Sequence, residues 1–279
     1  MNINELLKIG RKILIKNEIE YPIQICRTVL SRLINKSKEY LIIHSEEKLD
    51  IQIVKKYFNE INKIAEGFPL QYITQNQEFM KLNFFVNESV LIPRQDTEIL
   101  VEEVLSILER KKNCKVLDLC TGSGSIGISI AKYYPEGKIT ISDISKDALF
   151  VAKKNAVEHN VILEIVESDL FKDIKDNKFD VIVSNPPYIE TEIINSLDKQ
   201  VRHEPLLALD GGDDGLNIYR RIINEAYKYL NKDGYLAMEI GYNQKEKIVN
   251  LLKKSKKYKN IYSKQDLSKN DRIVICQII

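Results

Sequence analysis

The spacing of apolar residues changes near residue 97 of this 279-residue chain, and this change restricts the possible folds more than any other feature. From residue 115 onwards, short apolar runs alternate with stretches whose apolar residues recur at helical spacing. The first pattern is typical of buried strands and the second of helices with one buried face. Their regular alternation predicts an α/β fold built on a parallel sheet.

The predicted sheet has seven strands, with helices between most of them. The strands are Lys115–Asp118, Lys138–Asp143, Leu163–Glu167, Phe179–Ser184, Tyr235–Ile240, Ile261–Lys264 and Arg272–Ile278. The polar stretch between the last two is too brief for a crossover helix, so we expect these strands to pair antiparallel at the end of the sheet. The sequence therefore predicts a seven-stranded, Rossmann-like α/β domain.

Helical spacing dominates the first part of the chain, from Asn4 to about Tyr72. Pro22 suits the first turn of a helix, and Asp50 is expected to cap the helix that follows it. We predict four or five short helices, which together form a small all-helical domain over residues 1–75.

Aromatic and β-branched residues occupy the segment from Gln77 to Val86, interrupted by Lys81-Leu82-Asn83. This pattern predicts a β-hairpin. We expect the hairpin to form a linker over residues 76–94, followed by the α/β domain over residues 95–279.

The composition excludes several classes of protein. Lys and Arg number 42 against 40 Asp and Glu, so the chain lacks the strongly basic character of proteins that grip long nucleic acids. The four cysteines form no Cys-x-x-Cys pair, so we expect no metal site. No apolar run approaches the ~20 residues that span a bilayer, and no signal peptide is evident, so we expect a cytoplasmic protein without membrane contact.

A glycine-rich segment, Cys120 to Gly127, follows the first predicted strand and leads into a helix. Glycine permits positive φ and close approach of a ligand, which we expect at Gly122 and Gly124, while Gly127 lets the helix pack near the sheet. The same glycine spacing occurs in nicotinamide-dependent dehydrogenases, so the segment alone leaves the cofactor open. The predicted cofactor-binding residues here are Cys120, Thr121, Gly122, Ser123 and Gly124.

Two aspartates follow the next two predicted strands. Asp143 lies about 20 residues beyond the glycine segment, where a carboxylate can accept hydrogen bonds from both hydroxyls of an adenosine ribose. Asp169 can accept from an adenine amino group while Leu170 or Phe171 covers the ring, although a simple turn-capping role for Asp169 is the alternative. Ser145 is expected to cap the helix after Asp143.

The segment Asn185-Pro186-Pro187-Tyr188 follows the fourth predicted strand, at the edge of the sheet where ligands are expected. Consecutive prolines fix the backbone and remove two donors, so neighbouring carbonyls become available as acceptors. The Asn185 side-chain oxygen and the Pro186 carbonyl can together hold both hydrogens of a planar NH2 group, and Tyr188 can stack on it. Such a clamp would aim the nitrogen at a methyl sulfonium through orientation and electrostatics.

We therefore predict that Asn185, Pro186 and Tyr188 are catalytic, that the whole Asn185–Tyr188 segment binds substrate and that Asn185 also contacts the cofactor. An ordinary turn is the alternative interpretation. A dehydrogenase has no use for an NH2 clamp at this place. It would instead need a histidine for hydride-transfer chemistry, and His203 is the one histidine predicted in a loop near the site.

These motifs resemble the class I methyltransferases that modify amino groups on planar systems. Additional segments make the resemblance narrower: Pro69–Ile73, Ile92–Glu98, Val201–Pro205 and Gly211–Leu216 are similar to those of the release-factor glutamine-N5 methyltransferases, the PrmC/HemK family. The resemblance covers nearly the whole chain. Two departures from the family pattern are Cys120, where glycine is usual, and Gln95-Asp96, where Pro-Glu is commoner.

The resemblance implies S-adenosylmethionine as cofactor, S-adenosylhomocysteine as by-product and methylation of the glutamine in the Gly-Gly-Gln motif of bacterial class I peptide-chain release factors. It also implies a helical domain that helps to hold the release factor. It places cofactor contacts at Cys120–Gly124, Asp143, Leu170 and Asn185. The rival hypotheses are an adenine-N6 nucleic-acid methyltransferase, since adenine presents the same planar NH2, and a catalytically silent cofactor-binding module.

Overall fold

The computed structural model describes residues 1–109, 111–175 and 178–279, which form two compact units. The first consists of Met1–Asn76 together with the short segment Asp198–His203. The second consists of Gln77–Leu197 and Glu204–Ile279. The hairpin thus groups with the second unit, and the proposed division into three parts with a separate linker stays a prediction.

The first unit contains five α-helices, which agrees with the predicted helical domain. They are α1 (Ile3–Lys16), α2 (Pro22–Ile34), α3 (Lys38–Ile43), α4 (Ile51–Ala65) and α5 (Leu70–Thr74). Asp50 caps α4 by accepting a hydrogen bond from the Gln52 amide at 2.7 Å, as expected. The buried faces of these helices enclose a core of their own, with Leu6, Leu30 and Tyr57 fully buried.

A hairpin of β1 (Gln77–Phe79) and β2 (Leu82–Phe84) opens the second unit. The predicted interruption at Lys81-Leu82-Asn83 is wrong by one residue, because the turn is Met80-Lys81 and Leu82 and Asn83 already pair in β2. Met80 and Lys81 both have positive φ, 51° and 58°. A two-residue hairpin turn of the favoured kind needs positive φ at both positions.

The rest of the second unit is a seven-stranded sheet flanked by helices, as predicted. Its strands are β3 (Lys115–Leu119), β4 (Lys138–Asp143), β5 (Glu164–Glu167), β6 (Phe179–Ser184), β7 (Leu230–Glu239), β8 (Tyr258–Gln265) and β9 (Asp271–Ile278). Its helices are α6 (Glu98–Leu108), α7 (Ser125–Tyr133), α8 (Lys146–Glu158), α9 (Leu206–Leu209), α10 (Asn217–Glu225) and α11 (Lys245–Ser255). Strand β7 begins earlier than predicted because Leu230 pairs with Phe179 ahead of an irregularity in the register.

The strand order is β5-β4-β3-β6-β7-β9-β8. Strands β3 to β7 run parallel, whereas β9 is antiparallel to both β7 and β8, which confirms the expected pairing at the end of the sheet. The chain moves outwards from β3 to β4 and β5 and then returns to place β6 on the other side of β3. Ligands in such sheets bind at the carboxyl ends of the strands beside this reversal.

Both faces of the sheet are covered by apolar side chains, one set around Val116 and Ile141 and the other around Leu117 and Ile182. This burial explains why the central strands are near-continuous apolar runs. Within the described residues, no helix is long and apolar enough to cross a bilayer.

Candidate functional site

A cleft with an empty volume of about 1170 Å³ lies at the carboxyl ends of β3, β4 and β6, where the strand order reverses. This volume includes space that is open to solvent, and the glycine, polar and apolar residues that line the cleft suit a small-molecule ligand. Most of the predicted site residues line it: Cys120, Thr121, Gly122, Ser123, Asp143, Asp169, Leu170, Asn185 and Pro187. Three predicted residues, Gly124, Pro186 and Tyr188, are not part of its described lining.

Hydrogen bonds to a buried carboxylate, that of Asp118 near the end of β3, stabilise the glycine segment. The Asp118 Oδ2 atom accepts hydrogen bonds from the Thr121 hydroxyl at 2.5 Å and from the Gly127 amide at 2.9 Å. Burial raises the pKa of Asp118 to about 7. A Cβ on Gly127 would lie 2.4 Å from the Ile141 side chain, so this glycine allows α7 to pack against the sheet, as predicted.

Gly122 and Gly124 both have positive φ, but they differ in what surrounds them. A Cβ on Gly122 would meet nothing within 4 Å, so this residue leaves open space on the side of the cleft. A Cβ on Gly124 would lie 2.7 Å from Ile128 and 3.1 Å from Ala152. The close approach of a ligand predicted for both glycines is therefore available at Gly122, whereas Gly124 serves the start of α7.

The carboxylate of Asp143 is fixed at the end of β4 by two backbone amides. Its Oδ2 accepts from the Gly122 amide and its Oδ1 from the Ser145 amide, each at 2.9 Å. Burial raises the pKa of Asp143, and these two hydrogen bonds partly offset the rise. A carboxylate oxygen can accept more than one hydrogen bond, so both oxygens can also receive ligand hydroxyls. Ser145 caps α8 through the Ala148 amide, as predicted.

Leu170 and Phe171, the two apolar residues proposed to cover an adenine ring, have different surroundings in the loop after β5. Leu170 lines the cleft and has a φ of 55°, a conformation held by a 2.7 Å hydrogen bond from the Ser168 hydroxyl to its carbonyl. Phe171 is buried in the core instead, stacked on Tyr229 with the ring centroids 4.7 Å apart. Asp169 lines the cleft while paired with Arg221 at 2.8 Å.

Cys120 takes the position directly after β3 with a φ of 57°. Glycine adopts this left-handed conformation without steric cost, whereas the Cβ of Cys120 makes it less favourable here. Burial raises the pKa of the Cys120 thiol well above its usual range. The neutral thiol is a poor nucleophile, so the geometry favours a packing role for this residue.

The Asn185–Tyr188 segment follows β6, and its backbone is held by residues distant in sequence. The Gln244 side chain donates to the Tyr188 carbonyl at 2.9 Å and accepts from the Gly241 amide at 3.0 Å. A Cβ on Gly211 would lie 2.8 Å from the Tyr188 Cα atom, and one on Gly215 would lie 2.4 Å from the Tyr188 carbonyl oxygen. The glycines of the Gly211–Leu216 segment therefore let that loop close onto the turn.

The side chains of the turn meet a buried carboxylate, Glu239, at the end of β7. The Tyr188 hydroxyl donates to Glu239 Oε1 at 3.2 Å, and the Thr97 hydroxyl donates to Oε2 at 2.5 Å. The Asn185 amide nitrogen in turn donates to the Thr97 hydroxyl oxygen at 3.4 Å. The Tyr188 hydroxyl thus points to Glu239, and the stacking role expected for its ring stays a prediction.

Sequence reasoning missed Thr97, Glu239, Gln244 and Arg221 as parts of this region. Glu239 carried a usable signal, because it is a charged residue at the carboxyl end of an apolar strand, where ligand sites occur. His203 belongs to the first unit, with its ring edge-on to Phe68 at 5.3 Å between centroids.

Two families match separate parts of the chain. Residues 5–74 match the PrmC N-terminal domain, and residues 95–204 match the Methyltransferase small domain. A release factor glutamine methyltransferase from Clostridium acetobutylicum is 40% identical over 99% of this chain and 98% of its own length. The chain belongs to the release factor glutamine methyltransferase family. Family membership identifies it as an S-adenosylmethionine-dependent methyltransferase and excludes the dehydrogenase alternative.

Other members of the release factor glutamine methyltransferase family are similarly related. The protein of that name from Moorella thermoacetica is 38% identical, over 91% of this chain and 90% of its own length. Among solved structures, a methyltransferase from Pyrococcus furiosus has 18% identity and a TM-score of 0.53, covering 78% of this chain and 98% of its own. At that identity, the similarity to the Pyrococcus protein concerns the fold.

Proposed function

We propose that this enzyme transfers the methyl group of S-adenosylmethionine to the side-chain amide nitrogen, N5, of the glutamine in the Gly-Gly-Gln motif of class I peptide-chain release factors. The observation that carries the proposal is a shared cleft. Asn185 and Pro187, from the predicted amide clamp, line the same cleft as Gly122 and Asp143, from the predicted cofactor site. A methyl donor and an amide acceptor can therefore meet there.

The residues of the cleft fit S-adenosylmethionine, which supplies an electrophilic methyl group when bound. Asp143 retains acceptor capacity on both oxygens for the ribose hydroxyls. Leu170 provides an apolar surface for the adenine ring, and Asp169 stands beside it for the amino group. Gly122 has no side chain to obstruct the ligand.

The clamp residues orient a weak nucleophile. An amide nitrogen shares its lone pair with the carbonyl group, so catalysis has to come from alignment and from preorganised acceptors. The Asn185 oxygen and the Pro186 carbonyl accept the two hydrogens of the NH2 group. The amide nitrogen attacks with its own lone pair, and the new N–CH3 bond forms as the S–CH3 bond of the donor breaks. One of the two hydrogens is lost to solvent as a proton only after attack, so the clamp needs no general base before attack.

The proposed partners are bacterial class I release factors, with no nucleic acid or membrane required. The proposed location is the cytoplasm, where release factors act. The helical first unit, which matches the PrmC N-terminal domain, is the part that we propose helps to hold the release factor.

Adenine-N6 methylation of nucleic acid is the rival activity, because adenine offers the same planar NH2 group. The formal net charge of +2 gives no electrostatic preference for a polyanion. The test is a comparison of initial rates with radiolabelled S-adenosylmethionine at physiological salt, using a release factor or duplex DNA as acceptor. We expect labelling of the release factor to far exceed that of DNA, and efficient labelling of DNA alone would overturn the proposal.

A further inference from the structure

We propose that Thr97 and Glu239 are positioning residues that fix which way the Asn185 side-chain amide faces, so that its oxygen is presented to the substrate NH2. The inference rests on the proposed function and adds two residues to its mechanism. Thr97 and Glu239 are both buried, with 3% and 2% of their surfaces exposed. They reach the turn from the segment before α6 and from the end of β7.

The direction of each hydrogen bond follows from what each group can donate. An ionised carboxylate only accepts, and a threonine hydroxyl has a single hydrogen. The Thr97 oxygen lies within hydrogen-bond distance of Glu239 Oε2, and the ionised carboxylate has no hydrogen to give, so the Thr97 hydrogen is committed to Glu239. The Thr97 oxygen can then only accept from Asn185.

This commitment decides the orientation of the Asn185 amide. With its nitrogen towards Thr97, Asn185 donates a hydrogen bond at 3.4 Å and its oxygen faces away. In the reverse orientation, two oxygen atoms would face each other with no hydrogen between them. The 3.4 Å contact is long for a hydrogen bond, and such contacts often shorten when the substrate complex forms.

Glu239 also reaches the far end of the same turn. Its Oε1 accepts from the Tyr188 hydroxyl at 3.2 Å, and its backbone carbonyl accepts from the Tyr219 hydroxyl at 2.7 Å. One carboxylate therefore holds both Asn185, through Thr97, and Tyr188. Because Glu239 lies at the end of a central strand, these contacts fix the position of the turn relative to the sheet.

The charge on Glu239 is maintained against burial by its neighbours. Burial raises the pKa of Glu239 to about 6, while hydrogen bonds from Thr97 and Tyr188 and the positive charge of Arg272 lower it, and the charge of Asp96 raises it. Below that pH the protonated carboxyl group can donate to Thr97. The Thr97 hydrogen is then released and can point to the Asn185 oxygen, which removes the preference for the productive orientation.

The first experiment compares Thr97→Val with Thr97→Ser in steady-state methylation of a release factor. Valine keeps the shape but has no hydroxyl, so we expect kcat to fall about 10- to 100-fold, the range found when hydrogen-bond partners that orient metal ligands are removed, with little change in KM. Serine keeps the hydroxyl and should restore kcat close to the wild-type value. Calorimetric binding of S-adenosylhomocysteine should be unchanged in both variants.

The second experiment measures kcat against pH for wild type and Glu239→Gln. The wild-type rate should decline as the pH falls through about 6, because Glu239 gains its proton there. The variant has no titrating group at this position, so its rate should be lower and should lack the part of the decline centred near pH 6, whereas any decline from Asp118, whose pKa is about 7, should remain in both proteins. This comparison also tests the inference if Thr97→Val does not fold.

The possible outcomes separate the inference from the proposed function. A wild-type enzyme that does not methylate a release factor contradicts the proposed function itself. An active wild type whose kcat is unchanged by Thr97→Val overturns the inference alone. The same holds if Thr97→Ser is as impaired as Thr97→Val, or if Glu239→Gln keeps the part of the acid decline centred near pH 6.

Discussion

The two sides of the cleft are organised in different ways. On the cofactor side, Gly122 and Asp143 are positioned by hydrogen bonds to backbone amides in the short turns that follow two neighbouring strands. On the substrate side, the turn at Asn185 depends on side chains from distant segments, 88 residues away for Thr97. This difference indicates that short turns with backbone amides can form a cofactor site. Positioning a weak nucleophile instead requires side chains from several segments of the fold.

Replacing Asn185 tests the substrate side and should have the largest effect. Asn185→Ala deletes an acceptor for the substrate NH2, so we expect a loss of about 10²–10³ in kcat, or roughly 3–4 kcal/mol, as for other preorganised polar groups. Thermal unfolding should change little, since the fold does not depend on this side chain. Near-wild-type turnover of a folded variant would mean that the turn is only structural.

Asn185→Asp sharpens the same test because it keeps the size and an acceptor oxygen. It places a carboxylate oxygen against the Thr97 hydroxyl, whose hydrogen is committed to Glu239, and adds a negative charge near that buried carboxylate. We expect kcat to fall substantially here too. Full activity of this variant, measured under the same conditions, would show that the amide nitrogen of Asn185 has no role.

Replacing Asp143 tests the cofactor side and should affect binding rather than turnover. Asp143→Ala removes charge-assisted hydrogen bonds worth about 1.5–3 kcal/mol, so the Kd for S-adenosylhomocysteine should rise about 10- to 100-fold. At saturating cofactor, kcat should stay close to wild type. Glu167→Gln is the matched control, since Glu167 ends the neighbouring strand but is exposed and pairs with Lys146 at 3.7 Å. Equal losses in both variants would contradict the assignment.

Substitutions of Gly122 and Gly124, in the glycine-rich segment, should give smaller effects that can be distinguished from each other. In Gly124→Ala, an alanine at positive φ costs about 1–2 kcal/mol of folding free energy. The added methyl group also clashes with Ile128 and Ala152, so the thermal midpoint should fall. Gly122→Ala carries the same backbone cost, but its methyl group enters open space at the cleft. Calorimetry should show weaker S-adenosylhomocysteine binding for Gly122→Ala than for Gly124→Ala, and the reverse order would refute the distinction.

The sequence predicted the elements that follow local rules. The strands, the cap at Asp50 and the placement of Asn185 after a strand all depend on residues close together in the chain. Thr97 was missed because its contact with Asn185 joins residues 88 positions apart in the chain. Glu239 was missed although a charged residue at the end of an apolar strand is a usable signal. The stacking face predicted for Tyr188 stays a prediction, and the structure adds a hydrogen bond from the Tyr188 hydroxyl to Glu239.

The central claim is that the Asn185–Tyr188 turn directs methylation to a glutamine side-chain amide. Its most direct test is peptide mass spectrometry of a class I release factor incubated with the enzyme and S-adenosylmethionine carrying a deuterated methyl group. We predict that the label lies on the side-chain amide of the glutamine in the Gly-Gly-Gln motif, and that Asn185→Ala loses it. Label on any other residue, or equal labelling by wild type and Asn185→Ala, would contradict the account.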